Sequence, residues 1–311
     1  METMRCQPED RYPGVLKPGF RPFDPVHLAA AIERAVCNGN LRKYSRFGDT
    51  INYQTGIATG YVVGCCLRCI YCWASETRDR TTTNTQFFSP QEVFEQLTDI
   101  AKRKKLNQIR ISDGEPTIGK QHLLELLELV ERSTFHRFVL ETNGILLGCD
   151  DDYVRSVSKF RKCHVRISLK AGTPDHFTRK TGAMPEAFEL PFQAIRSLKT
   201  MGVSLGVAAM SADPRFMSPL ERVSLISKIA DIDPALVLNL EEEVVVLYPD
   251  TRKRLKAMGW DLDGGTRYKL HKIPLLNRFI QVSYYKLPVL SRKKLAVGYT
   301  LKAIRELYHA T

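Results

Sequence analysis

The sequence predicts an α/β protein of about six βα units. Two observations carry this. From about residue 59 to residue 247, short apolar runs alternate with amphipathic segments, the pattern of parallel strands joined by right-handed crossover helices. The apolar share is 43% over 311 residues, enough for one large core with a modest extension. An open doubly wound sheet and a barrel both fit the alternation. In either, chemistry belongs at the C-terminal ends of the strands.

The elements follow in order. Residues 1–58 are expected to be a lead-in that packs on the core, broken by Pro8, Pro13, Pro18, Pro22 and Pro25. One short helix fits Pro25 to Val36, where Leu28, Ala31, Ile32 and Ala35 share a face. Gly60–Gly64 reads as the first strand of the core. Ser89-Pro-Gln-Glu92 opens a helix with a capping residue, a first-turn proline and a glutamate that reaches back. Gln108–Ser112, Phe138–Glu141, His164–Leu169 and Val203–Ala209 are further strands. Gln121–Arg132, Tyr153–Phe160 and Pro185–Thr200 are the helices between them. Ser218-Pro-Leu-Glu221 repeats the capping box and opens another helix. Leu236–Leu240 is expected to be the sixth strand, with Val244–Leu247 as its extension.

Nothing directs the chain to an oxidising compartment, and no stretch approaches the roughly 20 apolar residues of a membrane span. The polar start, with Glu2, Glu9 and Asp10, is unlike a signal peptide. A cytoplasmic protein without membrane partners is expected. The net charge is +12. Most of the excess lies between Arg252 and Glu306, where 14 Lys and Arg face Asp261, Asp263 and Glu306.

Four of the eight cysteines crowd into Gly64-Cys-Cys-Leu-Arg-Cys-Ile-Tyr-Cys-Trp73. Crowding of this kind in a cytosolic chain favours metal over disulfide. Cys6, Cys37, Cys149 and Cys163 are scattered and read as small buried hydrophobes. Two registers compete. Cys66-x2-Cys69-x2-Cys72 would begin a ferredoxin run, but the fourth Cys and its Pro are missing. A zinc site lacks its fourth ligand and partner pair. Cys65-x3-Cys69-x2-Cys72 places three thiolates on a loop just past a strand end. Three thiolates can hold three irons of a [4Fe–4S] cube and leave the fourth open for another ligand. The plain alternative is three loop cysteines without metal.

This register, with Tyr71 immediately before the third cysteine, resembles the signature of the radical S-adenosylmethionine (SAM) superfamily. The resemblance implies a partial TIM-like barrel over residues 59–247. It also implies a [4Fe–4S] cluster on Cys65, Cys69 and Cys72, with SAM chelating the open iron through its amino and carboxylate groups. One electron would then split SAM to a 5′-deoxyadenosyl radical that abstracts hydrogen from substrate, the protein supplying position and dryness. An external donor such as a ferredoxin or flavodoxin would supply the electron.

Further positions support the resemblance. Ser112-Asp-Gly-Glu-Pro116 is similar to the family's Gly-Gly-Glu-Pro motif, which meets the amino group of SAM. Gly114, Glu115 and Pro116 match and Asp113 replaces the first glycine. Thr142 and Asn143, in Glu141-Thr-Asn-Gly144, would line the SAM pocket; the alternative is a plain Asn-Gly turn. Ser168 and Lys170 share a strand face. By likeness to activating enzymes of glycyl-radical proteins they would touch the ribose and carboxylate of SAM, although those enzymes carry Asp where Ser168 stands. Gly172-Thr-Pro-Asp is similar to the wybutosine-type tRNA-modifying branch. Met210, at the end of the fifth strand, would lie beside adenine. Glu241–Glu243 either face the pocket or pair with nearby Lys and Arg.

The region 248–311 reads as a basic C-terminal extension. Its Lys and Arg interleave with Tyr268, Phe279, Tyr284, Tyr285 and Tyr299, which suits RNA by charge and stacking. It also suits an acidic or phosphorylated partner, or a solvated basic face. A final helix fits Leu295–Tyr308. Two function classes remain in competition with a radical SAM enzyme: an iron–sulfur electron carrier or scaffold that does not cleave SAM, and a zinc- or RNA-binding module.

Overall fold

The computed structural model describes residues 14–50, 56–79 and 85–263. Cys6, the aromatic residues of the basic extension and the helix expected at Leu295–Tyr308 lie outside them. Within them the chain forms one mixed sheet of nine strands, mostly parallel, with helices packed on it.

The lead-in is more ordered than its sequence suggests. Helix α1 (Pro25–Val36) starts at Asp24, whose carboxylate accepts from the backbone of Val26 and His27, and it buries Leu28, Ala29, Ile32 and Val36. A two-residue strand β1 (Cys37–Asn38) turns into β2 (Leu41–Thr50), which its charged residues Arg42, Lys43 and Arg46 hid. β2 pairs antiparallel with β3 (Ile57–Val62), so the lead-in widens the sheet. β4 (Gln86–Phe88) also pairs with β2.

From β3 onward the strands are parallel: β5 (Gln108–Asp113), β6 (Arg137–Thr142), β7 (Cys163–Leu169), β8 (Ser204–Ala209) and β9 (Glu241–Glu242). Leaving aside β4, which sits on β2, each pairs with the strand before it, β5 with β3 and so on to β9. A doubly wound sheet reverses its order at a switch point. This one does not, so it is the wall of a partial barrel, six parallel strands wide.

Between the parallel strands run α2 (Ser75–Asp79), α3 (Pro90–Lys104), α4 (Lys120–Glu131), α5 (Ile145–Cys149), α6 (Asp151–Val157), α7 (Pro174–Thr181), α8 (Leu190–Thr200) and α9 (Pro219–Ile232). α3 carries the expected capping box, Ser89 and Glu92 bonding reciprocally. Its Val93, Leu97, Ile100 and Ala101 are buried, each large side chain contributing about 1.5–3 kcal/mol.

Several expectations need correction. Leu236–Leu240 is not a strand. Asp233-Pro-Ala235 is a helix start, the Asp233 carboxylate accepting from the Ala235 N–H, and it launches α10 (Pro234–Leu238). The sixth parallel strand is the short β9 that follows. Pro185–Thr200 is divided, a 3-10 turn (Pro185–Glu189) giving way to α8, whose first turn holds Pro191. The helix expected at Tyr153–Phe160 begins and ends earlier, as α6. Gly172-Thr-Pro-Asp is itself a helix start: Thr173 caps α7, with Pro174 in the first turn. The second capping box is only half made. Ser218 accepts from the Glu221 N–H, but the Glu221 side chain turns into the core. After β9, α11 (Pro249–Ala257) closes the described chain.

Candidate functional site

The C-terminal ends of the parallel strands face one cavity of about 950 Å³. The cysteine loop leaves β3 at this rim and is held by its main chain. Arg68 N donates to Thr181 O at 2.9 Å and Ile70 N to Lys180 O at 3.0 Å, so the end of α7 braces it. Cys65, Cys69 and Cys72 all open onto the cavity. Cys66 does not line it. Its Sγ is buried and accepts from Asn143 Nδ2 at 3.3 Å. Of the two registers, Cys65-x3-Cys69-x2-Cys72 is the one whose three cysteines all line the cavity.

The thiols differ in their proton affinity. Burial pushes Cys69 up to about 12 and also raises Cys72. A hydrogen bond from Cys66 lowers Cys65 and raises Cys66. Thiols held this way ionise when a metal replaces the proton. Among the described residues no three His, Cys, Asp or Glu converge as ligands of a single ion. A cube held at three corners spaces its thiolates more widely than one ion does.

Arginines hold the loop from behind. Arg68 Nη1 donates to Cys65 O at 2.6 Å, Arg78 Nη1 to Cys69 O at 2.7 Å, and Arg254 Nη2, from α11, to Cys72 O. The carbonyl of every cavity-facing cysteine thus meets a guanidinium. All three arginines are buried, at 2, 2 and 7% exposure. Asp79 pairs with both Arg68 and Arg78. Arg254 makes no ion pair among the described residues; its other partners are Ile70 O at 3.1 Å and the hydroxyls of Ser75 and Thr251. A buried cation met only by neutral oxygens is costly unless an anion lies near. The donor set and this positive surround both fit an anionic iron–sulfur cluster.

The motif after β5 has a backbone reason. Asp113 has φ +91°, and the residue at this position in the resembling motif is glycine. Gly114 is needed by close approach, since a Cβ there would stand 2.3 Å from Gly64 O. Glu115 N donates to the same Gly64 O at 2.8 Å, tying the motif to the cysteine loop. The Glu115 carboxylate is fully engaged: it accepts from Thr117 N and Oγ1, from Thr142 Oγ1 and from Asn143 N, at 2.7–3.1 Å. It locks the end of β5 to β6. Pro116 is buried behind the cavity.

Asp113 has what Glu115 lacks. One carboxylate oxygen accepts from Thr77 Oγ1 at 2.8 Å, while Oδ1 is buried without a donor among the described residues. Burial raises this acid to about 6, against the Thr77 bond. Across the cavity Lys170 Nζ donates to Ser168 Oγ at 2.8 Å and makes no ion pair among the described residues. Tyr71, Gly114, Thr142, Asn143 and Met210 also line the space. Tyr71 packs edge-on against Phe216, ring centres 4.9 Å apart.

Sequence reasoning missed the polar inner face of the sheet. Arg110 pairs with Glu141 at 3.1 Å, and Ser112 Oγ donates to the same acid at 2.6 Å. Arg166 bridges Glu241 and Glu243, both at 2.7 Å, and Arg222 holds Glu242 at 2.7 Å. Glu241–Glu243 therefore line the cavity and pair with arginines at once. The signal was the alternation Gln108-Ile-Arg-Ile-Ser112, polar on one face of a strand whose other face is core. Arg254 gave no sequence signal, because its partners lie 182 and 184 residues away.

Comparison with known proteins places this geometry. Residues 61–211 match the radical SAM superfamily model. A GTP 3′,8-cyclase from Desulforamulus reducens is 31% identical over 114 residues, 36% of this chain and 33% of the cyclase. The match thus spans a third of that relative's length. Two solved structures of spore photoproduct lyase, a cysteine-to-serine and a cysteine-to-alanine variant, superpose with TM-scores of 0.55 and 0.54. They are 14% and 13% identical, over 88% and 89% of this chain and 85% and 86% of theirs. At that identity the likeness is one of fold.

Proposed function

Because residues 61–211 are a radical SAM superfamily domain, we propose that this chain is a radical SAM enzyme, with a [4Fe–4S] cluster on Cys65, Cys69 and Cys72 and SAM in the cavity beside it. The bound pair supplies a 5′-deoxyadenosyl radical for hydrogen abstraction from substrate.

The observation that carries the proposal is the pair of unmatched charges on the cavity wall. Among the described residues Lys170 makes no ion pair, and Asp113 Oδ1 is a buried acceptor without a donor. The methionyl end of SAM brings one carboxylate and one ammonium, which meet these two needs by charge-assisted hydrogen bonds. Ser168, already bonded to Lys170, would keep the lysine aimed. Thr142 and Asn143, fixed by Glu115, would give the nucleoside a rigid wall, and Met210 an apolar one. Glu115 itself would hold strand ends rather than ligand. An electron carrier has no use for a cavity of this size beside its cluster.

The sheet side of the remaining wall is polar: Arg110, Ser112, Glu141 and Arg166 line it. This favours a polar substrate, drawn from a peptide side chain, a tRNA base or a small phosphorylated metabolite. The name of the GTP 3′,8-cyclase supports the last of these. A ferredoxin or flavodoxin would deliver the electron, and the basic segment beyond residue 263 would meet RNA or an acidic partner.

The test is spectroscopic. Anaerobically reconstituted protein, reduced with dithionite, should give the paramagnetic signal of a [4Fe–4S] cluster, and SAM should change it. Lys170→Ala should keep the cluster and lose the response to SAM. A cluster signal that SAM leaves unchanged in the parent protein would favour the electron carrier.

A further inference from the structure

Helix α11 lies outside the residues that match the radical SAM model. It nevertheless reaches the cysteine loop through two side chains, chiefly Arg254. Arg254 donates Nε to Ile70 O at 3.1 Å and Nη2 to Cys72 O, while Nη1 is fixed by Ser75 Oγ at 2.7 Å. Thr251, one turn earlier, donates its hydroxyl to Cys72 O at 3.5 Å. Arg254 as a whole is 7% exposed and makes no ion pair among the described residues. Arg68 and Arg78, which hold the other two cysteines, share Asp79. Among the three, Arg254 is the one without an ion pair among the described residues, Asp79 and Asp250 bearing on it only by longer-range attraction.

We infer that Arg254 is a positioning residue that sets the reduction potential of the cluster on Cys65, Cys69 and Cys72, and so ties the redox state of the site to the docking of α11. The inference rests on the cluster reading above. Its physics is electrostatic. One-electron reduction adds a negative charge to the loop. A fixed cation close by in a low-dielectric interior favours the more negative state. Its hydrogen bond to the carbonyl of a ligating cysteine acts in the same direction, since hydrogen bonding and charge around the ligands tune cluster potentials. Removing the charge should therefore make the cluster harder to reduce. Removing only the fork should not.

The experiment is a redox titration of reconstituted full-length protein, followed by the paramagnetic signal of the reduced cluster. Arg254→Gln keeps side-chain donors and loses the charge. It should lower the reduced-to-oxidised ratio at a fixed potential about tenfold, a shift of about 59 mV for a one-electron couple. Arg254→Lys keeps the charge and should stay within twofold of the parent. Lys253→Gln, an exposed charge on the same helix with its side chain 80% accessible, should leave the potential unchanged. If Arg254→Gln binds a full cluster at the parent potential, Arg254 is merely structural and the inference fails while the cluster reading stands. If the parent chain itself holds no [4Fe–4S] cluster, both fall.

Discussion

Lys180 and Glu221 form an ion pair with both side chains fully buried, Nζ lying 2.8 Å from one carboxylate oxygen and 2.9 Å from the other. Glu221 also accepts from Gly172 N at 3.0 Å, and the Lys180 ammonium lies over the Phe216 ring. The pair pins α7 to α9, and α7 in turn braces the cysteine loop through the carbonyls of Lys180 and Thr181. Removing one partner strands a buried charge, at a cost of about 3–5 kcal/mol. Lys180→Met or Glu221→Met alone should thus lower the urea midpoint sharply, and the double variant should recover much of the loss. A double variant as unstable as the sum of the singles would show that the two do not act as a pair.

Asp113 adopts φ +91° where the resembling motif has glycine. Asp113→Gly should relieve about 1–2 kcal/mol of backbone strain and lose the Thr77 hydrogen bond, about 1 kcal/mol. Its thermal midpoint should stay near that of the parent. Its SAM affinity should fall about tenfold as the Oδ1 acceptor disappears, a loss of roughly 1.4 kcal/mol in a charge-assisted bond. Equilibrium dialysis reads the second effect; equal affinity in the two proteins would remove Asp113 from the SAM site. Asp113→Val keeps the strain and loses the bond, and should melt several degrees lower.

His122 gives the fold an acid limit. Nδ1 lies 2.7 Å from Asn40 O and so must carry the proton; Nε2 then accepts from the Tyr44 hydroxyl at 2.9 Å. Burial lowers its pKa from 6.5 to about 4. Between these values the unfolded chain binds a proton that the folded chain refuses. The contribution is whole above pH 6.5 and drains as pH falls towards 4, by up to about 3 kcal/mol. Urea midpoints measured across this window should decline with acid, and His122→Gln should flatten part of the slope. A slope unchanged by that substitution would assign the acid limit elsewhere.

Cys65 and Cys66 are neighbours in sequence with different surroundings. Cys66→Ser should retain iron and sulfide close to the parent content, because its sulfur faces Asn143 and the core. Cys65→Ser should lose most of both. Iron content after anaerobic reconstitution decides this, and the reverse order would restore the other register.

The barrel was legible because its strands and helices announce themselves locally. Apolar alternation marks β5 to β8, and Ser89-Pro-Gln-Glu92 marks α3. The cysteine spacing placed the site at a strand end. Long-range or compensated features stayed hidden. β2 is held by pairing with β3 and carries Arg42, Lys43 and Arg46, whose charges mask a strand. Leu236–Leu240 looks like a strand because its apolar run is short, and only the Asp233-Pro cap betrays a helix. Glu221 reads as a capping residue until Lys180 is seen opposite it. Arg254 is legible only in three dimensions.

The most direct measurement is the product of SAM cleavage. Anaerobically reconstituted protein is incubated with dithionite and SAM, and 5′-deoxyadenosine is quantified beside the Cys69→Ala variant. The account predicts 5′-deoxyadenosine from the parent chain and none from the variant. A parent chain that holds a full cluster, binds SAM and forms no 5′-deoxyadenosine even with candidate substrates present would contradict it.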